Sequence, residues 1–198
     1  MIELVPVILI DTREQDPLRF ETLPSQVATL EAGDYGILGF SVVSPIRKPG
    51  EAKDDFEKRE FASRGFIIER KSLPDLCSTL GTGRERFMRE VEMLARYQFR
   101  ALVIEATPDQ VEDAQYRSLI SPASLISTLD ALAVRQGLHI IWCGSHLGAA
   151  RKVENLARMF LRGVQKDYLR ALKYTPEPGP RTKGVLVDKE GVTCADNS

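Results

Sequence analysis

The chain has 198 residues, 43% of them apolar and 28% charged, proportions of an ordinary globular domain that exclude wholesale disorder, collagen and a long coiled coil. Twenty-seven basic against 28 acidic residues leave a net charge of −1, so a polyanionic partner, if there is one, must be held by local charge. No apolar run approaches the roughly 18 residues of a membrane span, and the opening Met1-Ile2-Glu3-Leu4 lacks the basic and apolar regions of a signal peptide, so the expected setting is cytoplasmic, with no membrane partner.

Leu4–Asp11 (LVPVILID) is a β-branched run and predicts a buried strand. After a proline-containing stretch from Asp16 to Pro24, Ser25–Glu31 has a short helical pattern. Gly33-Asp34-Tyr35-Gly36 is turn chemistry leading into a second strand at Ile37–Ser44. Residues 45–63 mix proline, glycine and charge and read as an inserted surface loop. Gly65–Lys71 (GFIIERK) predicts a third strand. Ser72-Leu73-Pro74-Asp75 caps a short helix, with proline tolerated in the first turn. Phe87, Val91, Leu94 and Ala95 at helical spacing predict a longer helix over Arg84–Tyr97.

Arg100–Glu105 is a fourth strand. Ser121 as N-cap and Pro122 at the first position start a helix that runs to Gln136 and ends at Gly137. His139–Cys143 is a fifth strand, and a last long helix covers about Gly148–Lys173. A polar, proline-rich tail follows over 174–198. Strands alternating with helices after residue 65 argue for an α/β domain, and the early strands for an antiparallel hairpin or meander. The simplest organisation is one domain over 1–173 plus a tail.

The chemistry concentrates at strand ends. In Glu69-Arg70-Lys71 the alternation of a strand sends Glu69 and Lys71 to one face and Arg70 to the other. A carboxylate beside an ammonium suits phosphodiester hydrolysis: the acid holds Mg²⁺, and the lysine orients water or offsets developing phosphate charge. An ordinary salt-bridge ladder at a strand end explains the same three letters. Asp34 enters the strand before, Asp11 closes the first strand with Glu14 three residues on, and Asp75 lies four residues after Lys71. Mg²⁺ takes one or two carboxylates with water and phosphate, and these positions offer them, although Asp34 and Asp75 equally suit turn capping. Three separated cysteines (Cys77, Cys143, Cys194) exclude a CxxC zinc site. His139 and His146 are poor catalytic candidates, one opening an apolar strand and the other in the turn before a helix.

Asp11-Thr12-Arg13-Glu14, then Gly33-Asp34-Tyr35, then Glu69-Arg70-Lys71 with Asp75, resemble the successive motifs of the XPF family of structure-specific DNA endonucleases, GD…ERKxxxD in full and in order. The resemblance spans roughly residues 5–160 and also takes in Gly83-Arg84-Glu85-Arg86-Phe87. It implies an α/β, restriction-endonuclease-like core, with a central mixed β-sheet flanked by helices. It implies a Mg²⁺-dependent DNA endonuclease, with Mn²⁺ able to substitute, acting on branched or structured DNA in repair or recombination and leaving a 5′ phosphate and a 3′ hydroxyl. Its setting would be wherever DNA is, nucleoid or nucleus included.

By the same resemblance the catalytic set is Asp11, Asp34, Glu69, Arg70, Lys71 and Asp75. Asp34 and Glu69 are metal ligands, with the Arg70 main-chain carbonyl a candidate third, and Asp11 supports a second metal or orients the site. Lys71 is the catalytic lysine, Arg70 and Asp75 are supporting residues, and Arg13 pairs with a carboxylate. Two departures stand out. Thirty-four residues separate Asp34 from Glu69, long for the family, and no GxGxxxA-like helix-hairpin-helix repeat follows Lys173.

Local charge supports DNA as the partner. Arg84, Arg86 and Arg89 lie nearest in sequence to the proposed site. Arg158, Arg162, Lys166, Arg170 and Lys173 recur every three or four residues on one helical face, of which Arg162 and Lys166 are the chosen DNA contacts. A solvated basic face is the alternative. Leu125, Leu129, Leu132 and Val134 either pack internally or form the homodimer face common to the family. A non-catalytic DNA-binding or scaffold subunit is the rival to the enzyme, but such subunits usually lose one of Asp34, Glu69 or Lys71, and all three are present. A phosphate-ester hydrolase that does not act on DNA is the third reading.

Overall fold

In the computed structural model, residues 4–43 and 64–174 are described. The loop expected over 45–63, with Arg47 and Lys48, and the tail from 175 onward lie outside them. The chain divides into two compact units, Met1–Gly163 and Val164–Ser198. The described part of the second, Val164–Tyr174, is helical.

Six strands form one sheet, β1 (Ile8–Asp11), β2 (Ser25–Ala28), β3 (Tyr35–Ile37), β4 (Phe66–Lys71), β5 (Phe99–Ile104) and β6 (His139–Trp142), in the spatial order β2-β1-β3-β4-β5-β6. β1 and β4 each run antiparallel to β3, whereas β4, β5 and β6 are mutually parallel. Parallel neighbours need crossovers. α1 (Leu73–Leu80) and α2 (Arg84–Leu94) connect β4 to β5; α3 (Pro108–Glu112) and α4 (Pro122–Gln136) connect β5 to β6. α5 (His146–Tyr174) follows β6. The mixed sheet flanked by helices is the architecture expected from the sequence.

The core lies in two layers. On one face Leu9, Ile67, Leu102 and Ile104 meet Leu76 and Leu80 of α1, Phe87, Val91 and Leu94 of α2, and Leu125, Leu129 and Leu132 of α4. On the other, Ile8, Tyr35, Ile68 and Val103 meet Ala149, Ala150, Val153 and Ala157 of α5. The alternation of β4 thus feeds both layers, and fixes which charged residue at its end belongs to which face. On α4 the three leucines face the core and Val134 is exposed.

The helix ends obey their local signals. Ser72 accepts from the Asp75 N–H at α1, Ser121 from the Ser124 N–H at α4, and Gly137 closes α4 in the left-handed conformation with φ 59°. Thr107 and Gln110 form a reciprocal capping box around Pro108 at α3, a helix not foreseen in the sequence.

Two early segments differ from the expectations. Ser25–Glu31 is not helical: Ser25–Ala28 is a strand running parallel to β1, with Ile8 opposite Ser25. It is a largely exposed edge, so its side chains carry no buried alternation, and pairing with β1 selects its conformation. The strand expected over Ile37–Ser44 is Tyr35–Ile37. It stops because the chain turns through Gly39 at φ 82° and Ser41 hooks back. The Ser41 hydroxyl accepts from the Ile37 N–H at 2.8 Å and donates to the Phe66 carbonyl at 2.5 Å. α2 ends at Leu94, three residues before Tyr97, because Tyr97 leaves the helix to enter the core at 1% exposure.

Gly33 is the tightest backbone approach near the sheet centre. Its φ is +69°, and a Cβ there would stand 2.7 Å from Ile67 Cγ1 and 2.8 Å from the Ile68 carbonyl oxygen. Both the dihedral and the space demand glycine. Gly33→Ala is therefore expected to destabilise the protein by about 1–3 kcal/mol, read as a lower urea midpoint at unchanged slope. An unshifted midpoint would refute the close packing of Gly33 on β4.

Candidate active site

The strand register assembles the site. Ile10 pairs with Tyr35 and Tyr35 with Ile68, so the next step along each strand sets Asp11, Asp34 and Glu69 side by side at neighbouring strand ends. Main-chain bonds fix that step: the Asp11 N–H donates to the Asp34 carbonyl and the Asp34 N–H to the Ile68 carbonyl, both at 2.8 Å. By alternation with Leu9, Tyr35 and Ile67, all three carboxylates lie on the face covered by α1, α2 and α4. Lys71 shares that face. Together with Arg13, Arg86 and Arg89 they line one cavity of about 640 Å³.

The three acids differ in what holds them. Asp11 is 2% exposed and fully engaged. Oδ1 accepts from the Arg13 main-chain N–H at 2.8 Å and from Arg13 Nε at 2.6 Å, while Oδ2 accepts from the Leu30 N–H at 2.7 Å and Arg13 Nη2 at 3.1 Å. Burial raises its pKa, but these donors outweigh burial and hold the carboxyl below its ordinary value. Arg13 pairs with this acid, leaving much of its own side chain in solvent.

Asp34 uses Oδ2 to accept the Arg70 main-chain N–H at 2.7 Å. Burial, and then the charge of Glu69, push its carboxyl up to about 8, with Lys71 and the Arg70 N–H opposing. Glu69 is buried and also raised, first by burial, and it accepts from Lys71 Nζ. Burial pulls Lys71 down, but Glu69 and Asp34 lift it above its ordinary value, so the ammonium is retained. Nζ also sits 5.9 Å from the centre of the Phe87 ring.

The donor set suits a hard divalent cation only in part. No cluster of three or more His, Cys, Asp or Glu among the described residues is disposed as a metal centre. Burial opposes the ionisation of both Asp34 and Glu69, and the charge of Glu69 adds to it at Asp34. One oxygen of each is committed to the protein, and the other takes no protein hydrogen bond among the described residues. Mg²⁺ is commonly held by one or two carboxylates with water and phosphate completing its shell, so this pair fits. Asp11, saturated by Arg13 and Leu30, has no free acceptor to add.

The other predicted residues separate. Arg70 points to the opposite face, where Nε and Nη2 bond Glu14 at 3.1 and 2.9 Å and Nη1 bonds Glu105 at 2.8 Å. Asp75 does not line the cavity: it is exposed in the first turn of α1, accepting the Ser72 hydroxyl at 2.7 Å. Arg84 Nη1 bonds Thr128 of α4 at 3.3 Å and also stands outside the cavity lining. Arg86 pairs loosely with Glu90 at 3.4 Å, and Arg89 has no ion pair among the described residues. Arg162 is exposed on α5, the helix of the far face, and Lys166 is exposed in the second unit. Glu105 was not singled out in the sequence. Its one signal was a charged residue closing the apolar run of β5.

A model of the ERCC4 domain matches residues 10–156. No curated protein matches significantly. Among solved structures, XPF from Aeropyrum pernix superposes with a TM-score of 0.53 at 21% identity, covering 88% of this chain and 76% of that one. The same protein in complex with DNA gives 0.56 at 23% identity with the same coverage.

The raised carboxyl of Asp34 has a consequence for stability. The unfolded chain releases this proton near 3.8 and the folded chain only near 8, so between those values the folded state binds more protons. Stability of the metal-free protein then falls as pH rises through that window. Asp34→Asn removes this contribution: urea unfolding should show the variant gaining on the wild type from about pH 4 to about pH 8. A wild-type-minus-variant difference that is flat across the window would refute the burial of an unrelieved charge at Asp34.

Proposed function

The chain belongs to the ERCC4-domain family, and from that membership we propose that it is a metal-dependent endonuclease that hydrolyses phosphodiester bonds in branched or otherwise structured DNA, in repair or recombination. The observation that carries this reading is the convergence of Asp34, Glu69 and Lys71 in one cavity rimmed by Arg86 and Arg89. Two acids, one ammonium and flanking guanidiniums match a phosphodiester, which brings negative charge and gains more of it at the transition state. A similar solved structure, the Aeropyrum pernix XPF, holds DNA, which supports the same class of partner here.

Asp34 and Glu69 are the residues that would hold Mg²⁺, or Mn²⁺ in its place; when bound, such an ion supplies Lewis acidity toward a phosphoryl oxygen. The remaining work falls to the chain's own groups. Lys71, kept protonated by Glu69 and Asp34, directs a fixed positive charge at the phosphate as charge develops. Arg13, oriented by Asp11, and Arg89, which has no ion pair among the described residues, present guanidiniums to the backbone on either side. A homodimer in this reading does not use Leu125, Leu129 or Leu132, which are spent in the core, while Val134 remains exposed.

Cleavage of flap, fork, gapped and linear DNA in Mg²⁺ tests the reading. Wild type should cut at least one of them, and Asp34→Asn or Glu69→Gln should abolish cutting while metal-free thermal stability holds or rises. Lys71→Ala should lower turnover with little loss of DNA affinity, since its role is confined to the transition state. No cleavage of any substrate by wild type in Mg²⁺ or Mn²⁺ would sink the proposal, as would wild-type rates in either carboxylate variant.

Binding measured in Ca²⁺ addresses the rim. Each phosphate contact contributes about −0.9 to the slope of log K against log salt on duplex DNA. Arg86→Ala with Arg89→Ala should flatten that slope by about 1 to 2 and weaken all sequences alike. Arg84→Ala, whose guanidinium is turned toward Thr128, should change it less. An unchanged slope in the double variant would place the DNA path elsewhere.

A further inference from the structure

On the face of the sheet away from the cavity, Arg70 sits in a closed polar network. Its side chain is 9% exposed, and its partners Glu14 and Glu105 are 7% and 11% exposed. Glu14 follows β1 and Glu105 follows β5, so one guanidinium on β4 spans the ends of strands on either side of it. Glu105 is itself held. Its Oε1, which accepts from Arg70 Nη1 at 2.8 Å, also lies 2.7 Å from His146 Nδ1 at the start of α5. The Glu105 main-chain N–H meanwhile donates to the Lys71 carbonyl at 3.0 Å.

Arg70 is the residue whose main-chain N–H donates to Asp34 Oδ2 at 2.7 Å on the opposite face. The peptide that positions that carboxylate therefore belongs to a residue whose side chain is fixed at three nitrogens from behind. We propose that Glu105 is a positioning residue for the candidate active site, acting through Arg70 on the Asp34 carboxylate, with His146 holding Glu105 in place. The assignment rests on the nuclease reading for its effect on catalysis, but its geometric content does not. Glu105 does not line the cavity. It fixes the end of β4, and so the angle at which the Arg70 N–H meets Asp34, and with it the spacing between Asp34 and Glu69.

The test uses the full chain and two readouts, the amide proton of Arg70 in ¹⁵N-resolved NMR without metal or DNA, and cleavage kinetics on whichever DNA substrate wild type cuts. Asp34→Ala, which removes the acceptor, supplies the amide position for a lost hydrogen bond. Glu105→Asp keeps the charge but withdraws the carboxylate from Arg70, which separates geometry from field. It should move the Arg70 amide proton upfield in the direction of the Asp34→Ala position, and lower kcat about ten-fold with KM within about two-fold. Glu105→Gln, which keeps the length and an acceptor oxygen, should restore both. His146→Ala should shift the same amide in the same direction by less. An Arg70 amide that does not move in Glu105→Asp overturns the proposal, as does Glu105→Gln behaving like Glu105→Asp in both readouts. Should wild type cut no DNA, the nuclease reading fails while the amide shifts still decide the positioning role.

Discussion

A carboxylate accepting one backbone N–H organises this protein around its centre. Asp34 reaches sideways to the Arg70 amide while its own N–H and carbonyl bond the two flanking strands. That triple engagement is possible only because Gly33 lets the chain lie against β4 with no Cβ between. From it follow the antiparallel run β1-β3-β4 and the step that sets three acids abreast. The glycine–aspartate pair is thus a packing device and a chemical one at once.

The two faces of β4 solve opposite electrostatic problems. Behind, Arg70 meets two acids in good hydrogen-bond geometry, and burial raises no unmet demand; its guanidinium is held charged well above its ordinary range by those partners, against the pull of burial. Removing one partner of such a buried pair typically costs about 3–5 kcal/mol. In front, the balance is left unsettled: two buried carboxylates face one ammonium. Burial and the charge of Glu69 oppose the ionisation of Asp34, so added positive charge beside it would favour its carboxylate form.

Much of this was legible in the residues. Strand alternation alone assigns Glu69 and Lys71 to one face and Arg70 to the other. The caps at Ser72 and Ser121 and the stop at Gly137 are local chemistry that distant packing did not override. The failures share a cause. β2 is an exposed edge whose conformation comes from its neighbour, so Ser25–Ala28 carries no pattern of its own. The early end of β3 depends on Ser41 reaching the Phe66 carbonyl, a contact across 25 positions. Sequence order likewise could not tell that Asp75 serves its own helix, that Arg84 turns toward Thr128, or that Asp11 is consumed by its near neighbours. Glu105 and His146 acquire meaning only once β5 and α5 are laid beside β4.

The chain from β3 enters β4 at Phe66, the end of the strand remote from Lys71. The catalytic candidates sit at the opposite end, where the Arg70 N–H donates to Asp34 and the Lys71 carbonyl accepts from the Glu105 N–H. Five strand steps, roughly 17 Å, separate that entry from Lys71, so the strand itself sets its entry apart from its charged end.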